Sequence, residues 1–284
     1  MAHKRLKGKN KTKGSNVRKS LKEQAKKKSK KQANQPEGAK AAPPPAKVDG
    51  PEPVNKKQAK AQALLEKQNR SLYSGNERVL LVGEGNFSFA RALCEHLGSG
   101  AGIYATAFDS EAEVKTKYPD AAEHRRVIED KLAGTTLLGV DATRLHKVKE
   151  FRGAFKKVVF NFPHIGGGEK DVEKSVAEHR KLLAAFFSSA ARCLDPEAKG
   201  ACIHVALKVG EPYKSWKVVQ TARAACPDLD ITAAVPFVPS AWPGYVHRRT
   251  HGFDSRFSSS QNEEIAKGAK VYIFRKRKLE AGEI

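Results

Sequence analysis

An α/β fold built on a seven-stranded, mostly parallel sheet with helices on both faces is predicted by three features of this 284-residue sequence. From residue 78 onward, apolar runs of strand length alternate with helical segments. One of those strands passes through two glycines directly into a helix, at residues 79 to 89. The next two strands each end on a carboxylate, at Asp109 and Asp141, where an open parallel sheet keeps its ligand crevice.

Charge divides the chain before any strand begins. Residues 1 to 70 hold 21 Lys and Arg against 5 Asp and Glu, whereas the remainder holds 32 against 26, so most of the net charge of +22 sits in the first quarter. That quarter carries Lys-rich runs, a Pro43-Pro44-Pro45 break and almost no large apolar side chain before Leu64 and Leu65. It cannot bury enough surface to offset the entropy of ordering, which predicts a disordered basic tail and linker over 1–70 and a single folded domain over 71–284. A thin stripe of Ala61, Leu64 and Leu65 suggests a short helix over 55–70 leading into the domain.

The strands are expected at 79–82, 103–108, 136–140, 157–162, 202–207, 231–237 and 271–275, and the helices at 87–97, 111–118, 172–193 and 213–225. Residues 238–270 carry no period, and loops of that length in compact domains are usually functional. No stretch approaches the roughly 20 apolar residues a bilayer helix needs, and the N-terminus has no apolar signal core, so the expectation is an intracellular protein with no membrane partner. Cys94, Cys193, Cys202 and Cys226 form no C-x-x-C pair and are expected as reduced, buried thiols. No metal is expected, since His247 and His251 lack a carboxylate partner at ligand spacing.

The run Val82-Gly83-Glu84-Gly85-Asn86-Phe87-Ser88-Phe89 has the composition of a nucleotide cradle. Glycine lets the backbone approach a ligand and take positive φ, and the helix start presents unpaired N–H groups. Ser88 stands where the dinucleotide fingerprint has its third glycine, a poor fit to a pyrophosphate. Asp109, 24 residues after Gly85, is placed to accept both ribose hydroxyls, a device shared by NAD and S-adenosylmethionine (SAM) sites. Asp141 either accepts an adenine amine, which favours SAM, or caps the helix that follows it.

The fourth strand ends Asn161-Phe162-Pro163-His164, a rigid turn that resembles the Asn/Asp-Pro-Pro-Tyr turn of nucleic-acid methyltransferases. Asn161 can donate and accept, a carbonyl freed by the turn can accept, and Phe162 or His164 can stack on a base. His164 is either a general base for a uridine N3 proton or a stacking surface. In the late loop, Trp242, Tyr245, His247, Arg248 and Arg249 interleave rings with cations, the composition of a single-stranded RNA contact; a solvated basic loop is the plainer reading.

With Gly83 to Phe89, Phe160 to His164 and His247 to Phe253 in view, the sequence resembles the eukaryotic 25S rRNA (uridine-N3)-methyltransferases over residues 78 to 276. That family is a Rossmann-like, class I, SAM-dependent methyltransferase group of the nucleolus. The resemblance implies SAM as cofactor and N3 of a uridine in large-subunit rRNA as acceptor, presented single-stranded or flipped out, with pre-ribosomal particles as further partners. By position, Gly83, Glu84, Gly85, Asn86, Phe87, Ser88, Asp109 and Asp141 would line the SAM pocket. Asn161, Phe162, Pro163 and His164 would face the base. Two rivals remain at this level: a non-catalytic ribosome-assembly protein that binds RNA through a methyltransferase fold, and an NAD-dependent dehydrogenase.

Overall fold

The computed structural model describes residues 56–166, 171–250 and 268–277. The basic tail expected before residue 56 lies outside these residues. Helix α1, Lys56–Arg70, occupies the end of the segment expected as tail and linker and packs against the domain. Of the thin apolar stripe, Leu65 packs against the core while Leu64 stays 68% exposed. Asn69, 1% exposed, adds to the attachment: its Nδ2 donates to Leu65 O (3.1 Å) and Pro236 O (2.9 Å) while Oδ1 accepts from Val238 N (2.9 Å). One amide satisfies three backbone groups, a saving that a hydrophobicity pattern does not register.

The seven expected strands form one sheet: β1 Val79–Val82, β2 Ile103–Thr106, β3 Thr135–Leu137, β4 Lys157–Asn161, β5 Cys202–Lys208, β6 Leu229–Pro236 and β7 Ala269–Lys276. Their order is β3-β2-β1-β4-β5-β7-β6. The first five pair in parallel, with Leu81 beside Ala105 on one side and Val159 on the other. The last strand inserts antiparallel between β5 and β6, pairing His204 with Ile273 and Val235 with Val271. Every residue of β1 is buried, as expected of a central strand covered on both faces.

Helices α2 (Ser88–Leu97), α3 (Glu111–Lys117) and α4 (Ala121–Arg126) follow β1 and β2, and α5 (Val172–Ala190) and α6 (Val218–Ala225) flank β5. One core cluster joins α2 to the late loop through Phe89, Leu93, Phe237 and Trp242. A second joins α5 and α6 to the opposite face through Leu183, Phe186, Phe187 and Phe274. Local chemistry sets the helix ends: Ser110 and Glu113 close a capping box on α3, and Asp171 accepts from Glu173 N and Lys174 N at the start of α5.

Two expectations fail in detail. The helix expected at 213–225 breaks at Lys217 (φ 48°) into a 3-10 turn, Tyr213–Trp216, and α6. Helix α4, its π-helical extension Val127–Lys131, and the 3-10 turns Ala142–Lys147 and Lys149–Phe151 occupy segments with no long period to announce them. The four cysteines are free and buried, and burial pushes the Cys94 and Cys193 thiols up to about 12. No helix among the described residues is long and apolar enough to cross a membrane, and they contain no cluster of metal ligands.

Candidate active site

The C-terminal ends of β1, β2 and β4 open into one cleft of about 530 Å³. That is a volume typical of small-molecule and cofactor sites. It is lined from the glycine turn by Gly83, Glu84, Gly85, Asn86 and Ser88, from the next two strand ends by Asp109 and Asp141, and from β4 by Asn161, Phe162 and His164. Tyr245, His247 and Arg248 of the late loop complete it. Four residues expected at the site fall outside its lining: Phe87, Pro163, Trp242 and Arg249.

The turn is built around Gly83, at φ 70°, where a Cβ would overlap the Phe160 ring. Glycine is the residue that both the conformation and the space accept there. A second left-handed residue closes the turn, and it is Phe87, at φ 63°. The Phe87 side chain therefore does not face the cleft: its ring is fully buried, under the Arg125 guanidinium, and that burial holds the strained backbone. Glu84 N donates to Thr106 O (2.8 Å), and the Glu84 carboxylate accepts from Ala90 N (3.2 Å) inside the first turn of α2. Burial raises the Glu84 carboxyl to about 7, offset in part by that hydrogen bond.

Ser88 has a different role from the glycine it replaces. Its Oγ donates to Val246 O (3.1 Å) and accepts from Val246 N (3.0 Å), clipping the late loop onto the cradle. Asp120 makes a second clip, its Oδ2 accepting from Asn86 Nδ2 (2.8 Å) and from Arg248 (2.6 Å). Burial alone would raise the Asp120 carboxyl, yet the Arg248 and Asn86 hydrogen bonds and the guanidinium charge hold it below its ordinary value. The Tyr118 hydroxyl adds a third by donating to Arg249 O (3.0 Å). Arg248, expected to hold RNA phosphate, is thus turned inward as the partner of Asp120.

Trp242 is corrected in the same way. It is 2% exposed, its ring packed edge-on against Tyr73 and Phe89, so it anchors the loop and offers no face to a base. Tyr245 is half-buried against Phe89 and Phe237, and its hydroxyl bonds His247 Nδ1 (3.0 Å). His251 and Phe253 lie outside the described residues.

Asp109 sits at the strand edge as expected, with its Oδ1 accepting from Lys117 Nζ at 2.6 Å. Asp141 spends Oδ1 on the helix cap, accepting from Thr143 N (2.8 Å) and Thr143 Oγ1 (2.7 Å), while still lining the cleft. Both readings left open by the sequence are compatible with this placement.

The β4 turn is strained where the sequence predicts rigidity. Phe162 takes φ 53°, its N–H donates to Ala206 O (2.9 Å), and its ring lies against Phe237 and His247. Pro163 is buried and acts on the turn rather than on a ligand. The Asn161 side-chain Nδ2 is buried at the cleft with no hydrogen-bond partner, a donor left unsatisfied until something binds. His164 is exposed, accepts from Gly166 N (2.9 Å) at Nδ1, and meets the His179 ring edge-on at 4.7 Å.

The sequence missed several lining residues. Phe108, 70% exposed directly before Asp109, and Ile165, 41% exposed, present apolar surface to the cleft. Their signal was their place one residue from a strand-end motif. Lys117 and Tyr118, also in the lining, carried no such signal, and neither did Asp120, which holds Arg248 from outside it.

A family model described as rRNA (uridine-N3-)-methyltransferase, BMT5-like, matches residues 80–249. The chain is 36% identical over 182 residues to heavy metal-associated isoprenylated plant protein 41 of Arabidopsis thaliana, covering 63% of this chain and 34% of that protein. It is 36% identical over 209 residues to the human ferredoxin-fold anticodon-binding domain-containing protein 1, covering 69% and 30%. To the 25S rRNA (uridine(2634)-N(3))-methyltransferase of Saccharomyces cerevisiae it is 26% identical over 276 residues, covering 78% and 80%. The chain thus spans about a third of the first two relatives and four fifths of the yeast enzyme.

Proposed function

Because the chain belongs to the BMT5-like rRNA (uridine-N3-)-methyltransferase family, we propose that it methylates N3 of a uridine in large-subunit rRNA with SAM as donor. The observation that carries this reading is the single cleft joining the glycine turn, the Asp109 strand edge and the Asn161–His164 turn.

The residues present fit that cofactor. Gly83 keeps the cradle free of a Cβ, Asp109 offers a carboxylate where ribose hydroxyls would lie, and exposed Phe108 offers an apolar face beside it. Bound there, SAM supplies a methyl group activated by its sulfonium. The chain's part is positioning. Asn161 and the carbonyl of strained Phe162 grip the Watson–Crick edge of uracil, and the late loop excludes water from the cleft. His164 Nδ1 takes the Gly166 N–H, which puts the neutral ring's own proton on Nε2. In that arrangement the ring donates, suiting a uracil carbonyl oxygen, and it accepts the N3 proton only in the tautomer that releases Gly166. The same reading places the protein in the nucleolus, acting on pre-ribosomal particles during ribosome biogenesis.

The test is incubation of the full chain with SAM and large-subunit rRNA, followed by nucleoside mass spectrometry, with a parallel melting curve. The expected results are 3-methyluridine and a SAM-dependent rise in melting temperature, both lost in Asp109→Ala. RNA binding with no SAM-dependent shift at millimolar SAM would instead identify a non-catalytic RNA-binding module.

A further inference from the structure

Away from the cleft, the segment after Asp141 and the end of α5 build a surface with no part in the chemistry above. Arg144, Lys147, Arg152 and Arg192 are all exposed. Hydrogen bonds hold them on one face. His146 N donates to Ser189 Oγ (3.1 Å), Gly153 N donates to Arg192 O (3.1 Å), and Arg152 Nε donates to His146 O (2.7 Å). The cations surround the His146 imidazole, which burial and then the charges of Arg192, Lys147, Arg152 and Arg144 hold below its ordinary value.

The four cluster without counter-charge. Several other surface arginines are answered: Arg70 by Glu66, Arg91 by Glu95, Arg125 by Glu111, Arg126 by Glu123, and both Arg223 and Arg277 by Asp230. Among the described residues, none of Arg144, Lys147, Arg152 and Arg192 has an ion pair with a carboxylate. Glu150, the one acidic residue between 144 and 153, pairs with none of them. Like charges fixed together on a hydrogen-bonded frame repel one another, and a polyanion relieves that repulsion.

We propose that Arg144, Lys147, Arg152 and Arg192 form an RNA-backbone docking surface that holds phosphates of the substrate outside the cleft. The surface starts at its rim, because Arg144 follows Thr143, which lines the cleft beside Asp141. RNA bound along this face is thereby delivered to the site. The inward-turned Arg248 and buried Trp242 leave the late loop with less of this work than its composition suggests. The assignment rests on the RNA substrate proposed above, but it concerns binding and needs no methyl transfer.

The test uses the full chain and a fluorescently labelled large-subunit rRNA fragment, without cofactor, in anisotropy titrations from 50 to 200 mM salt. In the variant Arg144→Gln/Lys147→Gln/Arg152→Gln/Arg192→Gln, the slope of log K against log salt is expected to fall by about 3, at roughly 0.7 to 0.9 per phosphate contact. A control with equal charge loss, Lys115→Gln/Lys131→Gln/Lys214→Gln/Lys217→Gln, is expected to lose less than about 1. Both variants should keep the wild-type melting temperature and its SAM-dependent shift, which shows that fold and cleft are intact. Equal slope losses in the two variants would overturn the proposal. So would an unchanged slope accompanied by lost binding of poly-glutamate, which would assign the face to an acidic polypeptide. Wild-type protein that binds RNA with the patch-dependent slope but makes no 3-methyluridine would refute the catalytic reading and leave this surface standing.

Discussion

Replacing Glu84 with Gln removes the one buried carboxyl of the cradle whose ionisation works against the fold. In the folded chain this group titrates at about 7, against an ordinary value of 4.5. The native state therefore holds a proton that the unfolded chain has released between those two values, and stability falls as pH rises through that window. Below 4.5 the penalty is absent, and above 7 it is fully present. At 1.36 kcal/mol per pH unit the difference amounts to about 3 kcal/mol. Glu84→Gln keeps an oxygen to accept from Ala90 N but cannot ionise, so it should match the wild type near pH 4.5 and exceed its stability by about 3 kcal/mol at pH 8. Urea denaturation of both proteins at pH 5, 6, 7 and 8 measures the difference, in which all other titrating groups cancel. A difference that does not change with pH, or a less stable Gln variant at pH 8, would refute the reasoning.

Three other perturbations have definite outcomes. Gly83→Ala forces a left-handed alanine against the Phe160 ring, and should cost at least about 1 to 2 kcal/mol by urea denaturation and abolish the SAM-dependent melting shift. Trp242→Ala should lower stability by about 3 to 5 kcal/mol, as expected of a large aromatic lost from a core, whereas a base-stacking tryptophan would lower RNA affinity and leave stability intact. Asp120→Asn weakens the hydrogen bonds that hold Arg248 and the late loop, so limited trypsin digestion should cut after Arg248 or Arg249 several-fold faster; an unchanged rate would show that Ser88 and Tyr118 suffice to hold the loop.

Much of the fold was legible because its signals are local. Strand-length apolar runs, the helix-start chemistry of Ser110 and Asp171, and a left-handed glycine at a strand end depend on neighbours within a few residues, and the sequence by itself determined them. The seven strands and most of the cleft followed, since parallel strands linked by crossovers must bring their C-terminal ends to one edge. The antiparallel insertion of β7 between β5 and β6 had no local signature.

Only the tertiary structure decided which polar and aromatic residues of the late loop point outward. Trp242 and Arg248 read as RNA contacts because composition records residue type, while orientation depends on partners far along the chain. Tyr73 and Phe89 bury the Trp242 ring, and Asp120, 128 residues away, claims the Arg248 guanidinium. Asn69 shows the same limit, its side chain satisfying backbone groups near residue 237. A side chain's burial and charge pairing are properties of a three-dimensional neighbourhood, and a linear pattern reports that neighbourhood only where it is also local in sequence.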